Sequence, residues 1–283
     1  MSLLRHLRIC NAYQPDNFLP FLHGSDRLGF IRKDNANALS QFPNHFAVAD
    51  ESVRFLTEGS FDDLSAIIED VTEKLVTEGL VAKWRHEFFA AAPRWNAPKH
   101  FKIDRGAVPF FGISAFGVHL NGFRRDGDTL KLWAGKRANN KAVAPGKLDN
   151  LVAGGIDYSH GQHETLIKEC GEEASLPESL ARKAVPVGAV SYRMEVEYGM
   201  RNDVLFCYDL ETPADFTPKT NDGEIVSFAL EDAAAIVAGM RTRDDFKFNV
   251  NLVLLDFAIR HGLLAPDDPE YFDIVTGLHR PLD

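Results

Sequence analysis

The sequence is poor in cysteine and has no excess of basic charge. Its three cysteines, an odd number far apart in the chain, indicate neither a disulfide framework nor a CxxC metal site, and they fit a reducing cytoplasm. Lysine and arginine number 31 against 41 acidic residues, so the net charge is −10. Because no basic stripe is present, we do not expect a nucleic-acid backbone as the main partner.

Long apolar runs are also missing. No stretch of 18 apolar residues occurs, so we expect no membrane span, and the opening MSLLRHLRICNAY is too short in apolar residues and too charged for a secretory signal. At 45% hydrophobic and 25% charged, 283 residues predict an ordinary globular chain of one large or two modest domains. An anionic substrate would then need a metal ion or a local basic pocket.

Acidic side chains are concentrated between residues 153 and 176, AGGIDYSHGQHETLIKECGEEASL. Glu169, Glu172 and Glu173 follow the pair Gly154-Gly155. On an α-helix, which advances about 100° per residue, the three fall within an arc of about 100°, where like charges repel. A solvated helix face is the alternative, but three oxygen ligands on one face suit Mg²⁺, or Mn²⁺ in its place.

The same segment resembles the Nudix box, G-x5-E-x7-R-E-U-x-E-E-x-G-U, in which U is aliphatic. The match runs from Lys168 to Leu176, and the strict spacing puts Gly154 at the first glycine. Lys168 replaces arginine, which keeps the charge but loses the bidentate fork. Ser175 replaces the last glycine. His160 stands at the first glutamate, for which Glu164 is the nearest substitute.

A narrower resemblance covers nearly the whole chain. PGKLDN at 145–150, DGE at 222–224, DFAIRHG at 256–262 and FLPFLHGSDRLGFIRKD at 18–34 are similar to Nudix proteins related to thiamine pyrophosphokinase-linked proteins of fungi and plants. The resemblance implies a Nudix hydrolase that converts thiamine diphosphate, or its oxidised analogues oxothiamine and oxythiamine diphosphate, to the monophosphate. The purpose would be to clear toxic mimics of the cofactor.

The apolar patterns predict two units, a smaller α+β accessory domain at residues 1–108 and a second unit at 109–283, which the resemblance implies is a Nudix hydrolase domain. For the first we expect a hairpin around HGSD, a helix from Asp62 to Gly79 and a helical piece over 81–92. For the second we expect an α/β/α sandwich around a mixed sheet, with strands at 113–121, 129–137, 187–193 and 204–210 and helices at Gln162–Ala174, 230–238 and 249–261.

The implied mechanism assigns roles to four carboxylates. Glu169, Glu172 and Glu173 are expected to hold one to three Mg²⁺ ions, with the Gly154 carbonyl as a further ligand, and the metals would clamp the diphosphate and acidify a water. Glu173 is the first choice for the general base, and Glu224, in the NDGE loop, is the second. Lys168 is expected to orient Glu169 or Glu172 without touching substrate.

Substrate-binding candidates lie on both sides of the box. Lys147 and Asn150 precede it and are candidates for phosphate contacts, and Gly155 allows close approach of the backbone. Arg193 and Arg201 lie near strand ends and are candidates for the terminal phosphate, with a solvated role as the alternative. Several aromatic residues are candidates for a wall that stacks on a flat ring, with core packing as the alternative: Trp84, Trp95, Phe110, Phe111 and Phe116.

Other functions remain open at this point. The same machinery could act on a nucleoside diphosphate derivative, such as a sugar nucleotide, a dinucleotide or an oxidised nucleotide. A noncatalytic ligand-sensing Nudix module is a second alternative, although it would not need all three glutamates. Isomerisation of an isoprenoid diphosphate would need a well-placed cysteine, and Cys170 inside the box helix is badly placed. The expected partner is a small-molecule diphosphate, and a homodimer is a candidate assembly.

Overall fold

The computed structural model describes residues 2–280. The elements of the first part of the chain are α1 (Leu4–Cys10), β1 (Phe18–His23), β2 (Asp26–Arg32), α2 (Lys33–Leu39), β3 (Phe46–Val48), β4 (Val53–Phe55), α3 (Phe61–Thr77), β5 (Phe88–Ala91), β6 (Phe101–Asp104) and α4 (Val108–Phe111). They form a four-stranded sheet in the order β2-β1-β4-β3 and a separate β5-β6 pair.

Local sequence signals explain most of these elements. The turn at HGSD joins β1 to β2 as predicted. Ser60 caps α3 by accepting from the Asp63 N–H, and Leu64, Ile68 and Leu75 are buried on one side of that helix. The helix expected over 81–92 is wrong, because residues 88–91 form strand β5, which pairs antiparallel with β6.

The second part is built around a mixed seven-stranded sheet, so the α/β class is confirmed. The path β11-β12-β7-β8-β13 is extended by β10 on β7 and β9 on β8. Its elements are β7 (Ser114–Asp126), β8 (Thr129–Arg137), β9 (Leu148–Asp149), β10 (Val152–Gly155), α5 (Gln162–Ala174), α6 (Glu178–Ala181), β11 (Val185–Val196), β12 (Gly199–Glu211), β13 (Ile225–Asp232), α7 (Ala233–Met240), α8 (Val250–Arg260) and α9 (Tyr271–Leu278).

Alternate residues of β12 are buried in two different cores, which shows that helices cover both faces of this sheet. Leu205 and Cys207 join the core that contains α7, α8 and α9. Tyr208 and Leu210 join the core under α5. Successive strand residues point to opposite faces, so α5 and α8 lie on opposite sides. The helix expected at 230–238 begins later, at Ala233, because residues 230–232 still pair with β8.

The first helix does not pack with the sheet that follows it in sequence. Leu3, Leu7 and Cys10 are buried in the same core as α8 and α9. Residues from Leu19 to Ile113 form their own core instead. The division at 108/109 stays a prediction. No helix within residues 2–280 is long and apolar enough to cross a membrane.

Candidate active site

Helix α5 carries the acidic cluster, and its ends explain two departures from the Nudix pattern. The Gly161 N–H donates to Glu164 Oε2 (3.0 Å), so Glu164 caps the helix. Ser175 ends it in the left-handed conformation, at φ 49°, which explains why the family pattern prefers glycine there. Leu166 and Cys170 anchor the opposite side of α5 in the core.

The three glutamates of α5 lie in different environments. Glu173 is 5% exposed, and its Oε2 accepts from the Ala153 N–H at 2.9 Å. Burial raises the pKa of Glu173 well above its usual range, and nearby carboxylates raise it further. Burial also raises the pKa of Glu169. The Glu172 side chain is half exposed.

One cation lies among these carboxylates. Lys168 Nζ lies 3.6 Å from Glu169 Oε1 and 3.3 Å from Glu172 Oε2. Glu169 and Glu172 are thus paired with this lysine. Within residues 2–280, no group of three His, Cys, Asp or Glu side chains already converges on one metal position. The donor set is nevertheless all hard oxygen, which is the ligand type that divalent Mg²⁺ and Mn²⁺ prefer. The residues therefore fit Mg²⁺ or Mn²⁺ after side-chain rotation.

The glycine pair brings the backbone close to two side chains. A Cβ atom on Gly154 would lie 2.4 Å from both Cγ and Cδ of Glu169, and one on Gly155 would lie 2.6 Å from Cζ of Phe89. Neither position has room for a side chain. Gly154 therefore lies directly beside the acidic cluster, and Gly155 lies under a ring supplied by β5.

Glu224 lies in the loop before β13 and influences the same cluster. Its carboxylate adds to the raised pKa of Glu169 and of Glu173, after burial as the main cause. It also forms an ion pair of 2.5 Å with Lys141. The structure thus brings the second candidate base within electrostatic reach of α5.

Two neighbouring cavities lie where β5, β6 and α4 meet the large sheet. The wide cavity measures about 640 Å³, and its charged lining includes Arg85, Glu87, Arg105, Arg137, Lys141, Arg201, Asp222 and Glu224. The deep cavity measures about 100 Å³ and is lined by Phe89, Arg105, Phe116, His119, Gly154, Gly155, Arg201, Asp203, Leu205, Lys247 and Asn249, among others. Arg105 and Arg201 line both cavities, so cationic groups mark their junction.

The predicted substrate residues are not all brought together. Arg201 and Gly155 line the deep cavity. Lys147 donates to the Asp244 carbonyl and lines a separate cavity. Arg193 lies over the Phe30 ring, 4.5 Å from its centroid, and lines neither the wide nor the deep cavity.

Asn150 is inside the sheet and contacts other polar side chains. It is 3% exposed and hydrogen-bonds to His119 and Asn121. Asn150 does not line the deep cavity itself, but it hydrogen-bonds to His119, which does.

Some of the aromatic candidates line a cavity, and others are buried in the core. Trp95 packs edge-on against Phe116, with the ring centroids 5.0 Å apart, and both line a third cavity of about 230 Å³. Phe110 and Phe111 are fully buried in the N-terminal core, and Trp84 stacks on His86. Cys170 is fully buried, which raises the pKa of its thiol to about 12 and leaves it unsuited to catalysis.

Sequence reasoning missed several residues of the deep cavity: Arg105, His119, Asp203, Lys247 and Asn249. They come from β6–α4, β7, β12 and the segment before α8, so no sequence spacing links them. His119 lies in the apolar run GVHL, where a polar residue in a buried strand is the one signal that could have drawn attention. Burial lowers the pKa of His119 to about 4, with help from Lys247.

Comparison with known proteins identifies the proteins to which this chain is similar. Residues 2–115 match a family model described as a domain of unknown function, DUF4743. Nudix hydrolase 20, chloroplastic, of Arabidopsis thaliana is 38% identical over 272 residues, covering 92% of this chain and 72% of its own. Nudix hydrolase 24, chloroplastic, of the same plant is 38% identical over 265 residues, with the same shares covered.

Proposed function

Because the chain belongs to the Nudix hydrolase family, we propose that it is a Mg²⁺-dependent diphosphohydrolase that converts thiamine diphosphate, oxothiamine diphosphate or oxythiamine diphosphate to the monophosphate and phosphate. The observation that carries the reaction type is the carboxylate cluster of α5 beside Gly154, which itself lines a cavity with Arg105, Arg201 and Lys247. The thiamine ring is supported by the subfamily resemblance of the sequence.

Different residues of the chain bind the metal ion, orient its ligands and position the diphosphate. Glu169, Glu172 and Glu173, with the Gly154 carbonyl, would hold the divalent ion, which would neutralise diphosphate charge and polarise its oxygens. Lys168 keeps Glu169 and Glu172 oriented in the absence of the ion. The guanidinium groups of Arg105 and Arg201 position the diphosphate at the junction of the two cavities.

A carboxylate takes the proton of the attacking water. Glu173 is the first choice, because the Ala153 N–H fixes one of its oxygens while the other has no hydrogen-bond partner within residues 2–280. Glu224 is the second choice, since Lys141 holds it at the wall of the wide cavity. Replacing each by glutamine separates the two, because the base should lower kcat far more than KM.

A nucleoside diphosphate derivative is the second candidate substrate. The wide cavity favours it, because a volume of about 640 Å³ suits a larger compound and Arg85 lies in its lining beside Arg105 and Arg201. A homodimer is a candidate assembly, and the amino-acid sequence suggests a reducing cytoplasmic location. The latter agrees with three free, buried cysteines, whereas the two plant relatives are named as chloroplastic.

A substrate panel tests the proposal. Phosphate release with Mg²⁺ would be measured from thiamine, oxothiamine and oxythiamine diphosphates, ADP-ribose, NADH and nucleoside triphosphates, beside Glu172→Gln and Glu173→Gln. Preference for the thiamine-like compounds, lost in both variants, is the expected result. Turnover of nucleotides alone would reject the thiamine assignment and retain the second candidate. Tight binding of one compound without turnover of any would favour a sensor.

A further inference from the structure

A chain of hydrogen bonds crosses the large sheet and ends at the deep cavity. It starts at Asp209, which His261 Nε2 contacts at 2.8 Å and to which Arg260 donates. Burial alone would raise the pKa of Asp209, but these bonds and one from Asn121 lower it overall. Asp209 is therefore ionised and can only accept hydrogen bonds.

The ionised aspartate fixes the direction of every later bond. Asn121 Nδ2 donates to Asp209 Oδ1 (3.0 Å), which leaves Asn121 Oδ1 to accept from Asn150 Nδ2 (2.8 Å). Asn150 Oδ1 then faces His119 Nδ1 at 2.8 Å. Because an amide oxygen cannot donate, His119 Nδ1 carries the proton and Nε2 is a bare acceptor.

A second chain reaches the same cavity from the other side. Tyr192 Oη donates to Asp203 Oδ2 (2.5 Å) and so accepts from Asn249 Nδ2 (3.4 Å). This leaves Asn249 Oδ1, a buried atom with no hydrogen-bond partner within the described chain. An unpaired buried acceptor costs free energy unless something donates to it, so this atom points to a ligand.

His119 Nε2 and Asn249 Oδ1 are thus two unpaired acceptors on residues that line the deep cavity, together with apolar and charged side chains. His119 is 3% exposed and Asn249 4% exposed, and both line the deep cavity with Phe89, Phe116 and Leu205. No donor among residues 2–280 approaches His119 Nε2 within hydrogen-bonding distance. The pKa of about 4 agrees with a neutral imidazole at physiological pH.

We propose that His119 Nε2 and Asn249 Oδ1 determine specificity by accepting hydrogen bonds from the N–H edge of a heteroaromatic ring on the diphosphate substrate. This inference rests on the proposed function. The diphosphate would lie at the junction marked by Arg105 and Arg201, because two acceptors would repel phosphate oxygens. The ring would enter the deep cavity, where Phe89, Phe116 and Leu205 offer apolar contacts to a flat ring and the two acceptors meet its polar edge.

Matched ligands with and without the donor test the inference on the unaltered protein. Thiamine diphosphate would be compared with its 4′-deamino analogue, and ADP-ribose with the analogue that has purine in place of adenine. Affinity would be measured calorimetrically without Mg²⁺ and turnover with Mg²⁺. For whichever ring family binds, we expect the amino compound to bind roughly 10- to 100-fold more tightly. Equal affinity within both pairs would overturn the inference.

Two variants assign the effect to the named atoms. His119→Leu and Asn249→Leu should each raise KM for the amino compound about 10-fold, leave kcat nearly unchanged and weaken the preference over the deamino compound. His6→Leu and Asn251→Leu are controls, since both residues are buried but neither lines the deep cavity. If both site variants kept the full preference, the assignment would be wrong.

The outcomes separate the inference from the proposed function. A preference in binding without turnover of any diphosphate would support the inference and reject the hydrolase proposal. Turnover without a preference for the amino compounds would reject the inference and support the hydrolase proposal. Absence of both binding and turnover for all four compounds would overturn the two together.

Discussion

The side chain of Glu169 lies against the backbone of Gly154, so that a Cβ atom at position 154 would lie only 2.4 Å from Glu169 Cδ. This contact joins the helix that carries the acidic cluster to the strand that lines the deep cavity. It makes the glycine a requirement of the carboxylate's position, independently of any metal ligation by its carbonyl.

Gly154→Ala should therefore displace Glu169 and lower kcat/KM by about 100-fold, because a shift of about 1 Å at a reacting centre costs that much. Steady-state hydrolysis measures the loss. Gly171→Ala on the same helix is the control, since a Cβ there meets nothing within 4 Å. It should keep activity and gain up to about 1 kcal/mol of stability. Equal activity in both variants would contradict the packing argument.

Removal of divalent metal should lower the melting temperature. An ion present at about 100 times its dissociation constant adds about 2.7 kcal/mol to the free energy of unfolding, and Glu169→Gln and Glu172→Gln should each reduce that gain. Thermal unfolding with Mg²⁺ and with chelator measures it. Glu178→Gln, on exposed helix α6, should respond like the unaltered protein. A metal effect unchanged by the two site variants would place the ion elsewhere.

Asp149→Asn should destabilise the protein by about 3 to 5 kcal/mol, since it leaves buried cations unpaired. Asp149 Oδ2 lies 2.6 Å from Arg137 and 3.7 Å from Lys247, and Arg137 also donates to the carbonyl of Val143. Denaturant unfolding is the measurement. Glu78→Gln breaks a partly exposed pair with Lys74 and should cost less than about 1 kcal/mol. Similar costs for the two would mean that the buried pair contributes little.

The free energy of unfolding should decrease as the pH is lowered, and part of this decrease should depend on His119. Its folded-state pKa of about 4 lies below the ordinary 6.5, so between these values the unfolded chain binds a proton that the folded protein does not. The stabilisation is present above pH 6.5 and is lost as the pH falls to about 4, amounting to about 3 kcal/mol.

His119→Gln should remove that part of the pH dependence, measured as the free energy of unfolding between pH 7 and 4. His163→Gln, at an exposed position of α5, should leave the slope unchanged. If the slope of the His119 variant matched that of the unaltered protein, the histidine would titrate normally in the folded state.

The sequence predicted well wherever local signals decide the structure. The bounds of α5 follow from the glycine before it, Glu164 as a capping residue and Pro177 beyond its end, and Gln162–Ala174 is confirmed. The hairpins around HGSD and DGD are equally local. The helix predicted over 81–92 was wrong because Phe88 and Phe89 suit either period, and only pairing with β6, whose partner residues lie 10 to 16 positions later, selects a strand.

The deep cavity could not be predicted from local signals. His119, Asp203 and Asn249 lie on separate strands and a loop, far apart in sequence, so no spacing connects them. Lys147 illustrates the reverse case. Its closeness to the box suggested a phosphate contact, but β9 pairs with β8, and the lysine is hydrogen-bonded to Asp244.

The packing of α1 against α8 and α9 has a consequence for synthesis on the ribosome. Leu3 and Leu7 share their core with Val253 and Ile274, which the ribosome adds much later in the chain. The first helix must wait, solvated or loosely held, while the sheet of β1–β4 can close around residues already present. Completion of the core that α1 shares with α8 and α9 is therefore a late step with high contact order.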